Sequence, residues 1–165
     1  MNGSFILCAS LSYWLASSAV AYAQLPAGAI VTFTTKDSKQ CIGVDGASVK
    51  NDASLGRFLC GDDKPPNQRW RVERRGDEHR FRNVKSKKCI GVDRASTEPG
   101  ADIRQFYCDS SANQRWKLFG DPNLVREFRN AKSDHCLAVP SSEQMLKQLE
   151  CNTPGIVQEW RIVIR

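Results

Sequence analysis

The chain has 165 residues, of which 24 are Lys or Arg and 18 are Asp or Glu, giving a formal net charge of +6. A chain of this length accommodates one domain with one hydrophobic core. Beyond the first 23 residues no apolar run is long enough to span a membrane, and the cysteines lack C-x-x-C spacing, so a transmembrane protein and a zinc module are both disfavoured.

The first 23 residues are predicted to be a signal peptide. They carry no charged side chain, contain an apolar run over residues 5–20, and end in Ala21-Tyr22-Ala23, the small-x-small pattern of a signal-peptidase site. A membrane anchor is the alternative interpretation, but the run is short and diluted by serines. We therefore expect a mature domain over residues 24–165, starting at Gln24, that is secreted to the extracellular or periplasmic space.

The mature chain consists of three copies of one unit. The 20-residue windows that open at Cys41 and Cys89 align without a gap and share ten identities, and a more degenerate copy opens at Cys136. The steps between copies are 48 and 47 residues. Units of this length bury their apolar faces against one another around a shared core, so we expect repeats at approximately 30–80, 81–127 and 128–165. Each opening cysteine is preceded by a phenylalanine at eight residues and a serine at three, namely Phe33, Phe81 and Phe128, and Ser38, Ser86 and Ser133.

Six cysteines remain after the leader. In a chain bound for an oxidising compartment they are expected to form structural disulfides. Six cysteines allow 15 pairings, and the repeat selects the one in which each copy joins its own two. The predicted bridges are Cys41 to Cys60, Cys89 to Cys108, and Cys136 to Cys151.

The pattern within each copy is that of short strands and turns. Apolar and charged residues alternate around the tryptophans, as in residues 69–73 and 161–165, and Gly- or Pro-containing turns separate these segments. The best candidate for a helix, residues 141–149, is brief. We therefore expect an all-β domain of about twelve strands, in which the last strand, 160–165, pairs with the first, 30–35, and closes a barrel.

A Gln-x-Trp segment ends each copy, in Asn67-Gln68-Arg69-Trp70, Asn113-Gln114-Arg115-Trp116 and Gln158-Glu159-Trp160. These segments resemble the Q-x-W signature of ricin B-type lectin domains, whose cysteine placement is also similar. The resemblance covers nearly the whole mature chain. It implies a β-trefoil fold and a non-catalytic, carbohydrate-binding function.

The resemblance also implies where a sugar would bind. In that family a shallow pocket in each lobe is built from an aspartate two residues after the first cysteine, an aromatic residue two before the second, and the Asn-Gln pair. An aromatic face stacks on the C–H side of a pyranose, while carboxylate and amide groups bond its hydroxyls. The matching residues are Phe58, Asn67 and Gln68 in the first copy and Phe106, Asn113 and Gln114 in the second. The third copy has Leu149 and Val157 instead and is expected to lack a working pocket.

The aspartate of the family's pocket is missing from all three copies, which have Gly43, Gly91 and Ala138 there. Asp45 and Asp93 lie two positions further on. Because residues i and i+2 of a strand share a face, we hypothesise that these carboxylates reach into the pockets through the space that the glycines leave. The alternative is that both residues only initiate a turn, that the phenylalanines are simply buried, and that the glutamines bond the backbone within the repeat.

Basic residues cluster between positions 69 and 94, where ten Lys or Arg accompany four Asp or Glu. Alternation predicts that Arg69, Arg71, Arg80 and Arg82 share the outward face of one hairpin. Such a stripe favours polyanions, which for an exported protein means anionic glycans, wall polymers or phospholipid headgroups rather than nucleic acid. A solvated face with no partner is the alternative.

Catalysis is not expected. His79 and His135 are the two histidines, and no Ser or Cys nucleophile has a base nearby in pattern. We expect no cofactor and no metal. The second hypothesis is a protein-binding trefoil, docking a toxin subunit, a receptor or a protease, in which the sugar sites are vestigial.

Overall fold

The computed structural model of the chain describes residues 24–121, 123 and 125–165, so the predicted signal peptide lies outside the described residues. This part of the chain is all-β. Its thirteen strands are β1 Ile30–Thr34, β2 Gln40–Val44, β3 Ala53–Leu59, β4 Trp70–Arg75, β5 Glu78–Asn83, β6 Cys89–Val92, β7 Ile103–Phe106, β8 Trp116–Phe119, β9 Arg126–Asn130, β10 Cys136–Pro140, β11 Lys147–Leu149, β12 Ile156–Val157 and β13 Glu159–Ile164. Among the residues described, no helix combines the length and the hydropathy needed to cross a bilayer.

Six strands form a closed barrel. Antiparallel pairing runs from β1 to β4, β5, β8, β9 and β13, and β13 pairs with β1 again. The predicted pairing of the first and last strands is confirmed, with Val31 opposite Ile164 and Thr34 opposite Arg161. Because the pairings return to their start, these six strands have no open edge in the barrel.

The remaining strands form three hairpins, β2–β3, β6–β7 and β10–β11, one for each repeat. The hairpins contact one another in a second, smaller ring, because β3 pairs with β7 and isolated bridges join Gly56 to Met145 and Asp102 to Lys147. Each lobe therefore contributes two barrel strands and one hairpin, in the order β1–β4, β5–β8 and β9–β13. The extra strand relative to the expected twelve is the two-residue β12, which pairs with β10.

The three phenylalanines that precede the opening cysteines meet at the centre of the core. Ring centroids are 4.9 Å apart for Phe33 and Phe81, 4.9 Å for Phe33 and Phe128, and 5.4 Å for Phe81 and Phe128. All three are fully buried. One large apolar side chain from each lobe thus completes a core that no single lobe could build.

The tryptophan of each Gln-x-Trp segment is buried and joins its barrel strand to the hairpin of the same lobe. The indole Nε1 donates to the carbonyl of Ile42, Ile90 or Leu137, at 3.2, 3.4 and 3.0 Å for Trp70, Trp116 and Trp160 respectively. A buried indole N–H needs such a partner. The predicted disulfides are also present, one within each lobe.

In the second and third lobes, one glutamine side chain donates hydrogen bonds to main-chain carbonyls of the preceding lobe. Gln105 Nε2 donates to the carbonyls of Ser48, at 3.1 Å, and Lys50, at 2.8 Å, while its Oε1 accepts from Ser86 Oγ at 2.6 Å. Gln148 repeats this arrangement one lobe later. In the first lobe Arg57 takes the same role and donates to carbonyls of the third. The lobes are therefore joined by polar contacts as well as by the core.

The Gln105→Leu variant should lose about 2 kcal/mol of unfolding free energy, because a fully buried amide and its three partners would lose their hydrogen bonds. Urea denaturation followed by circular dichroism measures the change. The matched control is Gln144→Leu, which alters an exposed glutamine and should leave stability nearly unchanged. Equal stability of the two variants would show that this amide does not hold the lobes together.

Candidate functional site

A shallow surface cup of about 350 Å³ lies on the second lobe. Three of the residues predicted from the sequence, Phe106, Asn113 and Gln114, line it together. A cavity of this volume is at the lower end of the range that holds small molecules. The rest of the lining is made of Asn51, Val92, Arg94, Ala95, Tyr107, Asp109 and Ser111.

Two segments of the second lobe position these side chains. Strand β7 buries Gln105 and, by alternation, turns the half-buried Phe106 to the outer face. Asn113 lies in the short 3₁₀ turn Ala112–Gln114, which the burial of Trp116 anchors to the core. The Asn113 amide is 8% exposed and donates from Nδ2 to the Val92 carbonyl at 3.2 Å, so it is fixed at the wall of the cup.

The glutamines of the Gln-x-Trp segments are buried and hold the loop that carries the second cysteine. Gln114 Nε2 donates to the Tyr107 carbonyl at 3.0 Å, and its Oε1 accepts from the Asp109 N–H at 3.2 Å. Gln68 donates to the Leu59 carbonyl at 2.9 Å. Gln158 makes the same pair of bonds in the third lobe. These amides bond the backbone within the repeat, as the alternative interpretation of the sequence had it, and they position the cup wall.

Gly91 occupies the position of the family's missing aspartate and faces the cup residues. A Cβ on Gly91 would stand 3.0 Å from Gln114 Cγ, 3.1 Å from Phe106 Cδ2 and 3.5 Å from Asn113 Nδ2. The position thus points at the predicted set, but these neighbours have closed over it and leave no room for a carboxylate. The cup is built without that acid.

Asp93 does not line the cup with Phe106 and Asn113. Its Oδ2 lies 3.9 Å from Arg104 Nε and 3.9 Å from Arg94 Nε, and Arg104 also pairs with Asp52 and Asp102 at 3.3 and 3.1 Å. The Asp93 carbonyl accepts from the Ser96 N–H at 3.0 Å. This carboxylate faces Arg104 and begins a turn, which is the alternative role considered for it from the sequence.

The hairpins of the first two lobes differ in the residue that lies across from the glycine two positions after the first cysteine. Gly43 lies opposite Gly56 in the β2–β3 hairpin, whereas Gly91 lies opposite Arg104 in β6–β7. The Phe58 ring occupies the space over both glycines: a Cβ on Gly56 would stand 3.0 Å from Phe58 Cζ, and one on Gly43 would stand 3.5 Å from its Cδ2. Phe58 therefore lies against the backbone of two glycines, whereas in the second lobe the residue opposite Gly91 is Arg104, which pairs with Asp52 and Asp102.

Two further residues of the first lobe were candidates. Asp45 is exposed and opens the turn Asp45–Ala47, where its carbonyl accepts from the Ser48 N–H at 3.1 Å. Asn67 is half-buried, and its main-chain carbonyl accepts from Asn83 Nδ2 at 3.0 Å. Asp45 therefore begins the same kind of turn as Asp93. In the first lobe, however, Gly56 stands at the position that Arg104 has in the second.

Sequence reasoning missed Tyr107 and Asn51. Tyr107 lines the cup, is 72% exposed, and has Lys88 Nζ 4.8 Å from its ring centroid. The signal was present, because copy two has an aromatic residue here where copy one has Leu59. Asn51 belongs to the first lobe and accepts the Tyr107 N–H at 2.8 Å through Oδ1, and no spacing within one repeat indicates a contact between two repeats.

The predicted basic stripe is partly neutralised. Arg80 and Arg82 both bind the carboxylate of Glu73, each at 2.5 Å. Burial alone would raise the pKa of Glu73, but hydrogen bonds from Arg82 and Arg80 bring it below its usual value. Arg71 donates to the Gly28 carbonyl at 3.0 Å. Two of the four arginines therefore share one internal counter-charge and do not form a free cationic surface.

Glu127 lies beside the third disulfide. Its carboxylate and the sulfurs of Cys136 and Cys151 are within 4.8 Å of one another, an arrangement that resembles a set of metal ligands. The two sulfurs are bonded to each other at 2.02 Å. Because the thiolate is the form that ligates metal, this cluster offers a single carboxylate and carries no metal site.

Residues 66–149 match the protein-family model described as ricin-type beta-trefoil lectin domain-like. No curated protein matches the chain by sequence. Among solved structures, the designed threefold symmetric protein ThreeFoil is 21% identical, with a TM-score of 0.72 over 81% of this chain and 97% of its own.

Two natural proteins show a similar fold in part of their length. An exo-β-1,3-galactanase from Clostridium thermocellum is 20% identical, with a TM-score of 0.75 over 86% of this chain and 31% of the galactanase chain. The Polyporus squamosus lectin, bound to a human-type influenza-binding epitope, is 13% identical, with a TM-score of 0.71 over 84% of this chain and 50% of the lectin chain. The chain thus spans a third or less of the first and half of the second. These likenesses establish the β-trefoil fold.

Proposed function

The chain belongs to the ricin-type β-trefoil lectin domain-like family, and from this premise we propose that it is a non-catalytic, carbohydrate-binding protein that holds a sugar in the second-lobe cup. The observation that carries the proposal is the shared lining. Phe106 and Asn113, chosen from the sequence alone, stand together in one cavity of about 350 Å³. Similar folds in a lectin and a galactanase support the same ligand class.

The residues of the cup divide into two roles. Tyr107 and Phe106 offer aromatic surface, on which the C–H face of a pyranose stacks. The polar groups of Asn51, Asn113 and Arg94 surround that surface and supply hydrogen bonds to hydroxyls. Gln114 positions the wall. In the first lobe, Phe58, Asn67 and Asp45 form a second and weaker site in this proposal, because the Phe58 ring lies over the two glycines and leaves little depth.

Secretion is part of the proposal. It is supported by the sequence pattern of residues 1–23 and by the three disulfides, which persist in oxidising compartments. Intact-mass spectrometry of the exported protein should find a chain that begins at Gln24, with this residue free or cyclised to pyroglutamate. A retained leader would contradict the proposed cleavage.

Tyr107→Ala should weaken glycan binding about tenfold, because one aromatic contact contributes on the order of 1 kcal/mol beyond its buried area. A glycan array identifies the ligand, and titration calorimetry then gives the two dissociation constants. Leu59→Ala is the matched control, since Leu59 stands at the corresponding position of the first lobe and is 78% exposed. Unchanged affinity in Tyr107→Ala, or an array on which the wild-type protein binds nothing, would contradict the proposal.

A protein-binding trefoil is the second candidate, and one observation favours it. Leu59 and Tyr107 are large apolar residues that remain 78% and 72% exposed at corresponding positions of neighbouring lobes. Exposed apolar side chains of this kind are frequent in protein interfaces. Competition separates the candidates: a glycan-binding protein is released from its target by the free sugar, whereas a protein-docking module is not.

A further inference from the structure

A second cavity, of about 330 Å³, lies next to the cup and shares one loop with it. Asp109 and Ser111 line the cup, whereas Ser110 between them lines this second cavity. The other walls come from the β4–β5 hairpin and from Arg115, which precedes Trp116. We call this cavity the arginine pocket, lined by Glu73, Arg74, Arg75, Glu78, His79, Arg80, Ser110 and Arg115.

The two carboxylates of the arginine pocket already have partners. Glu73 is bound by Arg80 and Arg82, and Glu78 lies 2.6 Å from Arg115 Nε. Arg80 and Arg115 also donate to the main-chain carbonyls of Asp109 and Ser110, so they hold the shared loop in place. The lining has four arginines and two glutamates, which leaves an excess of two positive charges.

The excess charge belongs to Arg74 and Arg75, at the end of β4. Both are exposed, and among the described residues neither has a carboxylate oxygen within 4.0 Å. Arg74 Nη2 makes one long bond of 3.3 Å to the Gly76 carbonyl, and within residues 24–121, 123 and 125–165 its other donors have no recorded acceptor and can bind a ligand. A guanidinium presents paired N–H donors that match the oxygens of a carboxylate or a sulfate.

We propose that the arginine pocket is a second subsite, which binds the carboxylate or sulfate of an acidic sugar residue while the neighbouring residue of the same glycan occupies the cup. This inference rests on the proposed function of the cup and names its ligand class, an acidic oligosaccharide. The shared loop, residues 109–111, is the boundary that the glycan crosses. A neutral oligosaccharide fills the cup equally well, but Arg74 and Arg75 then remain solvated and do not bind it.

Paired oligosaccharides test the subsite. The probes are uronic acid oligosaccharides with their methyl esters, and sulfated oligosaccharides with their desulfated parents. Each pair has the same sugars with and without the charge, and the two series show which acidic group is bound. The wild-type protein should bind the charged member at least about tenfold more tightly, since hydrogen bonds to charged groups are the stronger ones.

Two double variants with the same net charge separate the subsite from general electrostatics. Arg74→Gln with Arg75→Gln should lose the preference for the charged member and keep the wild-type affinity for the neutral one. The control, Arg161→Gln with Arg165→Gln, removes two exposed arginines of β13 and the residue after it and should keep the preference.

Each remaining outcome has one meaning. Equal binding of charged and neutral members by the wild-type protein overturns the subsite and leaves the cup intact. Equal loss of preference in both double variants assigns the effect to net charge and also overturns it. If the wild-type protein binds no member of any pair, the proposed function of the cup fails, and the subsite fails with it.

Discussion

Replacing Phe33 by alanine should lower the free energy of unfolding by about 4 kcal/mol, the usual cost of removing a buried aromatic side chain. Phe33 is fully buried and packs edge-on against Phe81 and Phe128, with centroids at 4.9 Å in both cases. It is also stacked on Trp70 at 6.4 Å. The three lobes meet at this ring, and the surrounding barrel strands cannot collapse into the space that it would leave.

Urea denaturation of three single variants measures this effect. Phe33→Ala, Phe81→Ala and Phe128→Ala should each cost several kcal/mol, because each lobe supplies one ring to the same contact. Phe119→Ala serves as the control, since Phe119 is only partly buried and should cost clearly less. A loss of under about 1 kcal/mol in Phe33→Ala would contradict a shared core at this position. The expected loss is a large part of the stability of a whole domain, which is about 5–15 kcal/mol.

The stability of the protein should fall steadily as pH is lowered from about 6.5 to about 4, because of His79. Burial of this imidazole, with repulsion from Arg74, lowers its pKa from 6.5 to about 4. Between these two values the unfolded chain binds a proton that the folded chain does not. The stabilisation is complete above pH 6.5 and falls by about 1.4 kcal/mol for each pH unit below it, so that the accumulated loss reaches about 3 kcal/mol near pH 4.

Replacement of His79 separates this effect from that of the carboxylates. His79→Phe should flatten the profile between pH 5 and pH 6.5, because the proton uptake of the unfolded state disappears. His135→Gln is the control and should keep the slope. Asp102 and Glu73 have lowered pKa values in the folded protein, so their stabilisation is lost only at more acidic pH. A His79→Phe profile as steep as that of the wild type would show that another group titrates.

The internal repeat was sufficient to predict the architecture. The steps of 48 and 47 residues bring a phenylalanine eight residues before the first cysteine, two cysteines and a tryptophan to matching positions of the three copies, and each of these sets has one structural role. The phenylalanines meet at the centre, the tryptophans bond the hairpins, and the cysteines close loops within their own lobes. These features are repeated three times, so the pattern was redundant and one degenerate copy did not obscure it.

The site followed the repeat less closely than the core, because the third copy has Leu149 and Val157 where the first two have Phe and Asn. Phe106 and Asn113 were chosen because they match positions of the ricin B-type pocket, and they do share a cavity. Asp93 was chosen by strand alternation alone, and its carboxylate lies beside Arg104 instead. Strand β6 ends at Val92 and Asp93 begins the turn Asp93–Ala95, where its carboxylate faces Arg104 and Arg94.

The sequence by itself determined the threefold all-β architecture and the three local disulfides, because these follow from periodicity and from contacts within one repeat. Its resemblance to ricin B-type lectin domains indicated the β-trefoil and the two lobes in which a sugar site was to be sought. Only the tertiary structure decided that the Phe58 ring lies over two opposed glycines, that Asn51 of one lobe borders the cup of the next, and that no carboxylate of the described residues pairs with Arg74 or Arg75. Each of these depends on which residues face one another across strands or lobes, and that pairing is set by barrel closure rather than by distance along the chain.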